Sequence, residues 1–397
     1  MTSLPVFVLA RLQGMPGVWK SCHRLLLGWL IVLHALLPGR TPLADLARWT
    51  PDEVTSWRWR RVRKATSWDV HRLGAWGAQQ ALNTLPPPED GGLTLTGAGR
   101  HKPTRGTNNP LAQQGRNREP HAWVFGMRFA LRRVRGDGGR GPVAFRLLRR
   151  TSPPQSRTEN ALLRDMVRSC TPPAWAQAVI VEGDAAYGSP ENMPMGRQRD
   201  ADDPERPWGL LLAMARPWQT AAGQASKDLV TPVPRTYAQR PWGPRMPSAN
   251  GRQTLWPYRK RVWLRPSGDG TVGWSTTGRN GSPQPTKILG TKRAELTPRD
   301  SVFASQRRWA VAPIHRELQT DLGMGQHQVS RAEGRLEKSF GSALRAYGFV
   351  IRACHHDVVP GQSWRLAQLQ HAFRFQGITH QVEHNVKTRL TQSRKAA

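Results

Sequence analysis

The chain has 397 residues, enough for two or three domains and a substantial core. Its 59 lysines and arginines stand against 27 acids, and the net charge of +32 implies a polyanionic partner, most simply nucleic acid. Cys22, Cys170 and Cys354 are too far apart for a metal or redox motif, which excludes a cysteine-built scaffold and fits a reducing, intracellular setting. A GC-rich coding sequence would also enrich Arg, Gly, Pro and Trp together, so part of the charge can be compositional.

Residues 1–88 read as an N-terminal helical region that binds DNA. The apolar run Leu25 to Leu37 is short for a membrane span and ends in Pro-Gly, so it is expected to be a buried helix. It lies too far inside the chain for a signal peptide, and the first residues lack a charged start and cleavage site. Thr41 to Ala47 looks like a short capped helix, and Thr50-Pro51-Asp52-Glu53 starts another. The second continues into Trp57-Arg58-Trp59-Arg60-Arg61-Val62-Arg63-Lys64. That stretch suits either a small DNA-binding element or a solvated basic face.

Pro86 to Gly92 marks a boundary, and residues 89–217 read as the first part of an α/β domain. Leu93 to Thr96 is a short strand pattern followed by Gly97-Ala98-Gly99 and a basic loop, Arg100 to Arg118. Ala122 to Val134 and Pro142 to Leu148 read as two antiparallel strands joined by a Gly-rich turn, Gly136 to Gly141. Thr158-Glu159-Asn160 can open a helix running to about Ser169. Ala178-Val179-Ile180-Val181 then reads as a buried strand with Asp184 at its end, followed by small residues, a Tyr and Ser189-Pro190, which can start a helix. A carboxylate there is either a turn or helix cap, or a chemical group at the carboxyl end of a strand, where α/β folds place sites. Trp208 to Ala215 is a further strand.

Residues 218–295 change character: Pro, Gly, Arg and Trp crowd together around strand-like pieces at Gln253 to Leu264, Thr271 to Ser275 and Thr286 to Leu289. A β-rich basic insertion and a loose linker both fit. Residues 296–397 read as helical: a start at Thr297-Pro298, an interruption at Pro313, then patterns over Ala332 to Ala353 and Trp364 to His371 before a basic tail. Cys354-His355-His356-Asp357 are too close together in the chain to converge readily on one ion. Trp263 and Trp274 suit either core packing or stacking on a distorted base.

Several motifs in order carry a resemblance. They are Arg105-Gly106-Thr107-Asn108-Asn109-Pro110, His121 to Gly126, Phe145 to Leu148, Val179 to Ser189, Gln306 to Ser330 and the tail Gln381 to Arg389. With these the chain resembles the DDE transposases of bacterial insertion sequences. Those are cut-and-paste enzymes with an RNase H-like mixed sheet, flanking helices and a β-strand insertion. The resemblance implies double-stranded DNA as partner (transposon ends and target), a homodimer, a cytoplasmic, nucleoid-associated location and Mg2+ as cofactor. In such enzymes three carboxylates hold two ions about 3.5–4 Å apart across the scissile phosphate.

Carried over position by position, the resemblance puts the second acid, a metal ligand, at Asp184. The first acid falls on Ala98 and the third on Ala312, so two of the three carboxylates are replaced by alanine. Arg308 keeps the pattern around the third acid, whereas Ser305 and Gln319 replace its Tyr and Lys. Spacings of four, three and four put Arg308, Ala312, His315 and Gln319 on one helix face. Glu317 is about 140° away on that helix. Asp137, in a hairpin, Asp165, in a helix, and Glu182, on the opposite strand face from its neighbours, are poor substitutes. Lys102, Arg105, Arg116, Arg118 and Arg308 are the expected DNA contacts. The expectation is a transposase impaired in cleavage, or a non-catalytic DNA-binding protein derived from one.

Overall fold

The structure is a computed structural model. It describes residues 15, 21–37, 55–64, 68–84, 87–103, 109, 111–116, 123–136, 139–149, 157–214, 219–224, 246–247, 254–264, 268–277, 284–292, 297, 311–324, 332–353, 368 and 370–371. Expectations that fall elsewhere lie outside the described residues. These include the starts at Thr41 and Thr50, the helix residues 298–310 that follow Thr297, the Cys354 to Asp357 run and the tail motif.

The architecture is mixed α/β. Ten strands form one open sheet: β1 (Gly92–Pro103), β2 (Ala112–Arg116), β3 (Trp123–Gly136), β4 (Gly139–Leu147), β5 (Ala178–Gly183), β6 (Trp208–Ala213), β7 (Met246–Pro247), β8 (Thr254–Leu264), β9 (Gly268–Thr277) and β10 (Gln284–Thr291). The spatial order is β2-β3-β1-β5-β6-β10-β9-β8-β7, with β4 also on β3. β3 runs antiparallel to both β1 and β4, whereas β5 and β6 run parallel to β1. Beyond β6 the strands turn antiparallel again, β10 pairing with β6 through Leu289↔Ala213 and Gly290↔Leu212.

Seven helices are described: α1 (Ser21–Leu36), α2 (Ser56–Lys64), α3 (Val70–Thr84), α4 (Glu159–Arg168), α5 (Met195–Asp202), α6 (Val311–Arg316) and α7 (Glu333–Ala353). A π-helical turn, Glu317–Asp321, follows α6. α1 is buried continuously from Leu26 to His34, as a helix apolar on all sides must be. It joins Trp59, Phe145, Leu318, Phe340 and Tyr347 in one core cluster. A second cluster lies against β1, β5 and β6, where α4 contributes Leu162, Leu163, Met166 and Val167. α4 opens where the sequence predicts, and Thr158 caps it, its hydroxyl accepting the Ala161 N–H at 3.2 Å.

Two elements depart from the sequence reading. β1 runs on to Pro103, pairing with β3 as far as Pro103↔Gly126, so the first part of the expected basic loop is strand. The rest of that stretch holds β2, which pairs with the start of β3. No helix starts at Ser189-Pro190: successive turns lead to α5, which begins at Met195.

A polar network ties the start of α7 to α3 and β4. Arg149 pairs with Glu333 and, at 2.8 Å, with Glu337; His71 Nε2 lies 3.6 Å from Glu337 Oε1. Arg146 has only donors, so His71 Nδ1 accepts from it at 3.3 Å and the Nε2 proton faces Glu337. Burial pushes the Glu337 carboxyl up, but the His71 and Arg149 hydrogen bonds outweigh it and hold the group below its ordinary 4.5. A depressed carboxyl stabilises the fold above the unfolded-state value and loses that contribution as pH falls through the folded one. Glu337→Gln is therefore expected to lose about 1 kcal/mol at pH 7 and to flatten the decline of urea midpoints below pH 4.5. Equal acid sensitivity in both proteins would remove Glu337 as its source.

Candidate functional site

The parallel ladder between β1 and β5 pairs Thr96 with Glu182 and ends at Gly97↔Gly183. Ala98 and Asp184 are the next residues on each strand. Neighbouring strands lie about 4.8 Å apart, so the two positions are neighbours just past the ladder: Asp184 follows the carboxyl end of β5, while β1 continues through Ala98 to Pro103. Asp184 is partly exposed, and its Oδ1 accepts the Ala186 N–H at 3.0 Å. Its carbonyl accepts the Tyr187 N–H at 2.9 Å. The turn role foreseen for this carboxylate is thus occupied, while its position is also that of a strand-end chemical group.

The turn beyond Asp184 is held from within. Asn192 is wholly buried, and its Nδ2 donates to the Tyr187 carbonyl at 2.8 Å and to Asn160 Oδ1 at 2.9 Å. Arg164 donates to Asn192 Oδ1 at 2.9 Å. Buried polar groups satisfied in this way fix a single conformation, so Asp184 is presented on a preorganised loop.

Glu159, the first residue of α4, reaches over β1 at Gly99. A Cβ on Gly99 would lie 2.7 Å from Glu159 Oε2 and 3.2 Å from the Tyr187 hydroxyl, so a side chain there would push the Glu159 carboxylate aside. Glu159 was missed by sequence reasoning because its approach depends on how α4 packs on β1. Three other acids are engaged elsewhere. Glu182 is buried and accepts from Thr96 Oγ1 at 3.4 Å. Asp165 pairs with Arg157, and Glu317 accepts from Tyr347 at 2.8 Å. Asp137 lies outside the described residues.

Arg100 and Lys102 follow Ala98 at two-residue intervals on β1 and so share its face of the sheet. Burial and then the Arg100 charge lower the Lys102 pKa, so the two cations feel one another beside the candidate site. Arg100 is not among the contacts expected from sequence, because a loop has no two-residue period to group it with Lys102. Arg116 ends β2 opposite Trp123. Arg105, Arg118 and Arg308 lie outside the described residues, and Ala312 falls within α6. A cavity of about 400 Å3, lined by Gly196, Arg197, Asp200, Arg206, Trp208 and Lys292, opens at the start of β6. That is the opposite end of the parallel strands from Asp184.

The donor set does not fit a pair of divalent ions. Ala98 offers no ligand atom, and Asp184 supplies one carboxylate, half of which is committed to a backbone N–H. No group of three or more His, Cys, Asp or Glu side chains suited to a metal ion occurs among the described residues. No described helix is long and apolar enough to cross a membrane. No family model and no curated protein matches the chain.

Proposed function

We propose that the chain is a DNA-binding protein on an RNase H-like framework, of cut-and-paste DDE transposase type, whose strand cleavage is lost or severely impaired. The observation that carries this reading is the juxtaposition of Ala98 and Asp184. The β4-β3-β1-β5-β6 order, three antiparallel strands followed by two parallel ones, supports the framework. The position of β8 to β10, continuing the sheet beyond β6, supports an insertion that extends it. On this framework the first two acidic positions of the resemblance are neighbours just past the β1–β5 ladder, and one of them is alanine.

What the remaining side chains offer is phosphate binding. Arg100, Arg58, Arg60, Arg61 and Arg72 are exposed, and the whole chain carries +32. Such a surface binds duplex DNA through released counterions, with affinity falling steeply with salt. The second reading, a non-catalytic DNA-binding protein of transposase descent, is favoured specifically by the Ala98 position. The two readings share their binding step and differ in residual cleavage.

The test is a gel-shift titration of the full chain on duplex DNA over a range of salt. The expected slope of log affinity against log salt is about −5 or steeper, as for at least five or six neutralised phosphates. Absence of binding at low salt, or binding indifferent to salt, would remove nucleic acid as the partner.

A further inference from the structure

Helix α2 reads SWRWRRVRK, five basic residues in nine with no acid. Trp59 is completely buried in the core cluster that includes α1 and α7, so the helix is anchored by one face. At 100° per residue, Trp57 and Arg61 lie close together on the side opposite Trp59, flanked by Arg58 and Arg60. Trp57 is 61% exposed, and the three arginines are exposed with it. The Arg61 guanidinium sits 5.2 Å from the centroid of the Trp57 ring. One face of the indole is therefore braced by a cation, and the helix holds the ring in water.

From this geometry we infer that α2 is a binding site for an unpaired nucleic-acid strand, with Trp57 as the stacking platform. The inference rests on the nucleic-acid reading above and goes beyond its duplex partner. Charge complementarity selects a polyanion, since every charged group on the helix is positive. The exposed ring selects unpaired bases among polyanions, because a base inside a duplex has both faces covered by its neighbours. Stacking on an aromatic ring beside phosphate-neutralising arginines is tolerant of sequence, so no base preference is expected. Trp57 supplies the discrimination between unpaired and paired strands, and Arg58, Arg60 and Arg61 supply the general attraction.

The experiment measures anisotropy of labelled oligo-dT and of a labelled duplex of equal length, using the full chain and its Trp57→Ala, Trp57→Phe and Arg61→Ala variants. Trp57→Ala is expected to weaken oligo-dT binding about tenfold while leaving the duplex within about twofold; Trp57→Phe should recover most of the loss. Arg61→Ala should lower the salt slope on both ligands by about one. An unchanged thermal midpoint in each variant shows that the core is intact. Equal losses on both ligands, or none on oligo-dT, overturn the assignment of Trp57. Wild-type binding to duplex but not to oligo-dT overturns the inference and leaves the duplex reading standing; binding to neither overturns both.

Discussion

Gly188→Ala is expected to destabilise the protein by more than about 3 kcal/mol, the largest effect of any single methyl group in the site region. A Cβ at this position would fall well inside van der Waals contact of the Ala213 carbonyl oxygen, and 3.2 Å from the Ala213 carbonyl carbon. The obstacle is backbone at the end of β6, so no rotamer change relieves it. Nor can the turn retreat easily, because Tyr187 and Asn192 are buried and Asn192 is bonded to α4. A globular domain has roughly 5–15 kcal/mol to lose, so the variant should show a strongly reduced urea midpoint or fail to fold. The control is Gly348→Ala in α7, where an added Cβ meets nothing within 4 Å. Removing a helical glycine in open space should stabilise by about 0.5–1 kcal/mol. Equal midpoints for the two variants would show that the turn after Asp184 is not seated against β6.

The second large effect is a gain. Ala98→Asp places a carboxylate beside Asp184 on the neighbouring strand, about 4.8 Å away at the backbone. Two such groups repel, so one is forced to hold its proton above the usual range or the fold weakens by about 1–2 kcal/mol at pH 7. A divalent ion removes the conflict. The variant should therefore melt below the wild type in chelator, recover with Mn2+, and bind Mn2+ about tenfold more tightly than the wild type. Asp184→Asn added to it should abolish the response. A melting temperature of the Ala98→Asp variant indifferent to Mn2+ would separate the two positions in space and dismantle the site.

Much of the sheet was legible because its strands are locally consistent. The β-branched run of β5, the apolar β6 and the glycine-rich turn between β3 and β4 each carry their own signal, and Thr158 announces α4 by its side chain. β1 was legible only as far as Thr96, because Gly97-Ala98-Gly99-Arg100-His101 has no strand pattern. Its continuation is imposed by pairing with β3, thirty residues onward, and no local window contains that. The same long-range cause hid Arg100 as a companion of Lys102, and Glu159 as a neighbour of Gly99. The helix expected at Ser189-Pro190 lost to tertiary structure: buried Asn192 satisfies a turn that propensity alone does not foresee. Asp184 itself was legible as a strand-end carboxylate with two competing roles, and it fills the turn role while standing at the position of the other.

The central claim is that the framework binds DNA while its acidic site has lost the capacity to cut. It is tested most directly by incubating the full wild-type chain with supercoiled plasmid and Mg2+, scoring retention by gel shift and strand breaks after removing the protein. The account predicts retained DNA at low salt with no nicks above those in chelator. Robust Mg2+-dependent nicking that Asp184→Asn abolishes would contradict it.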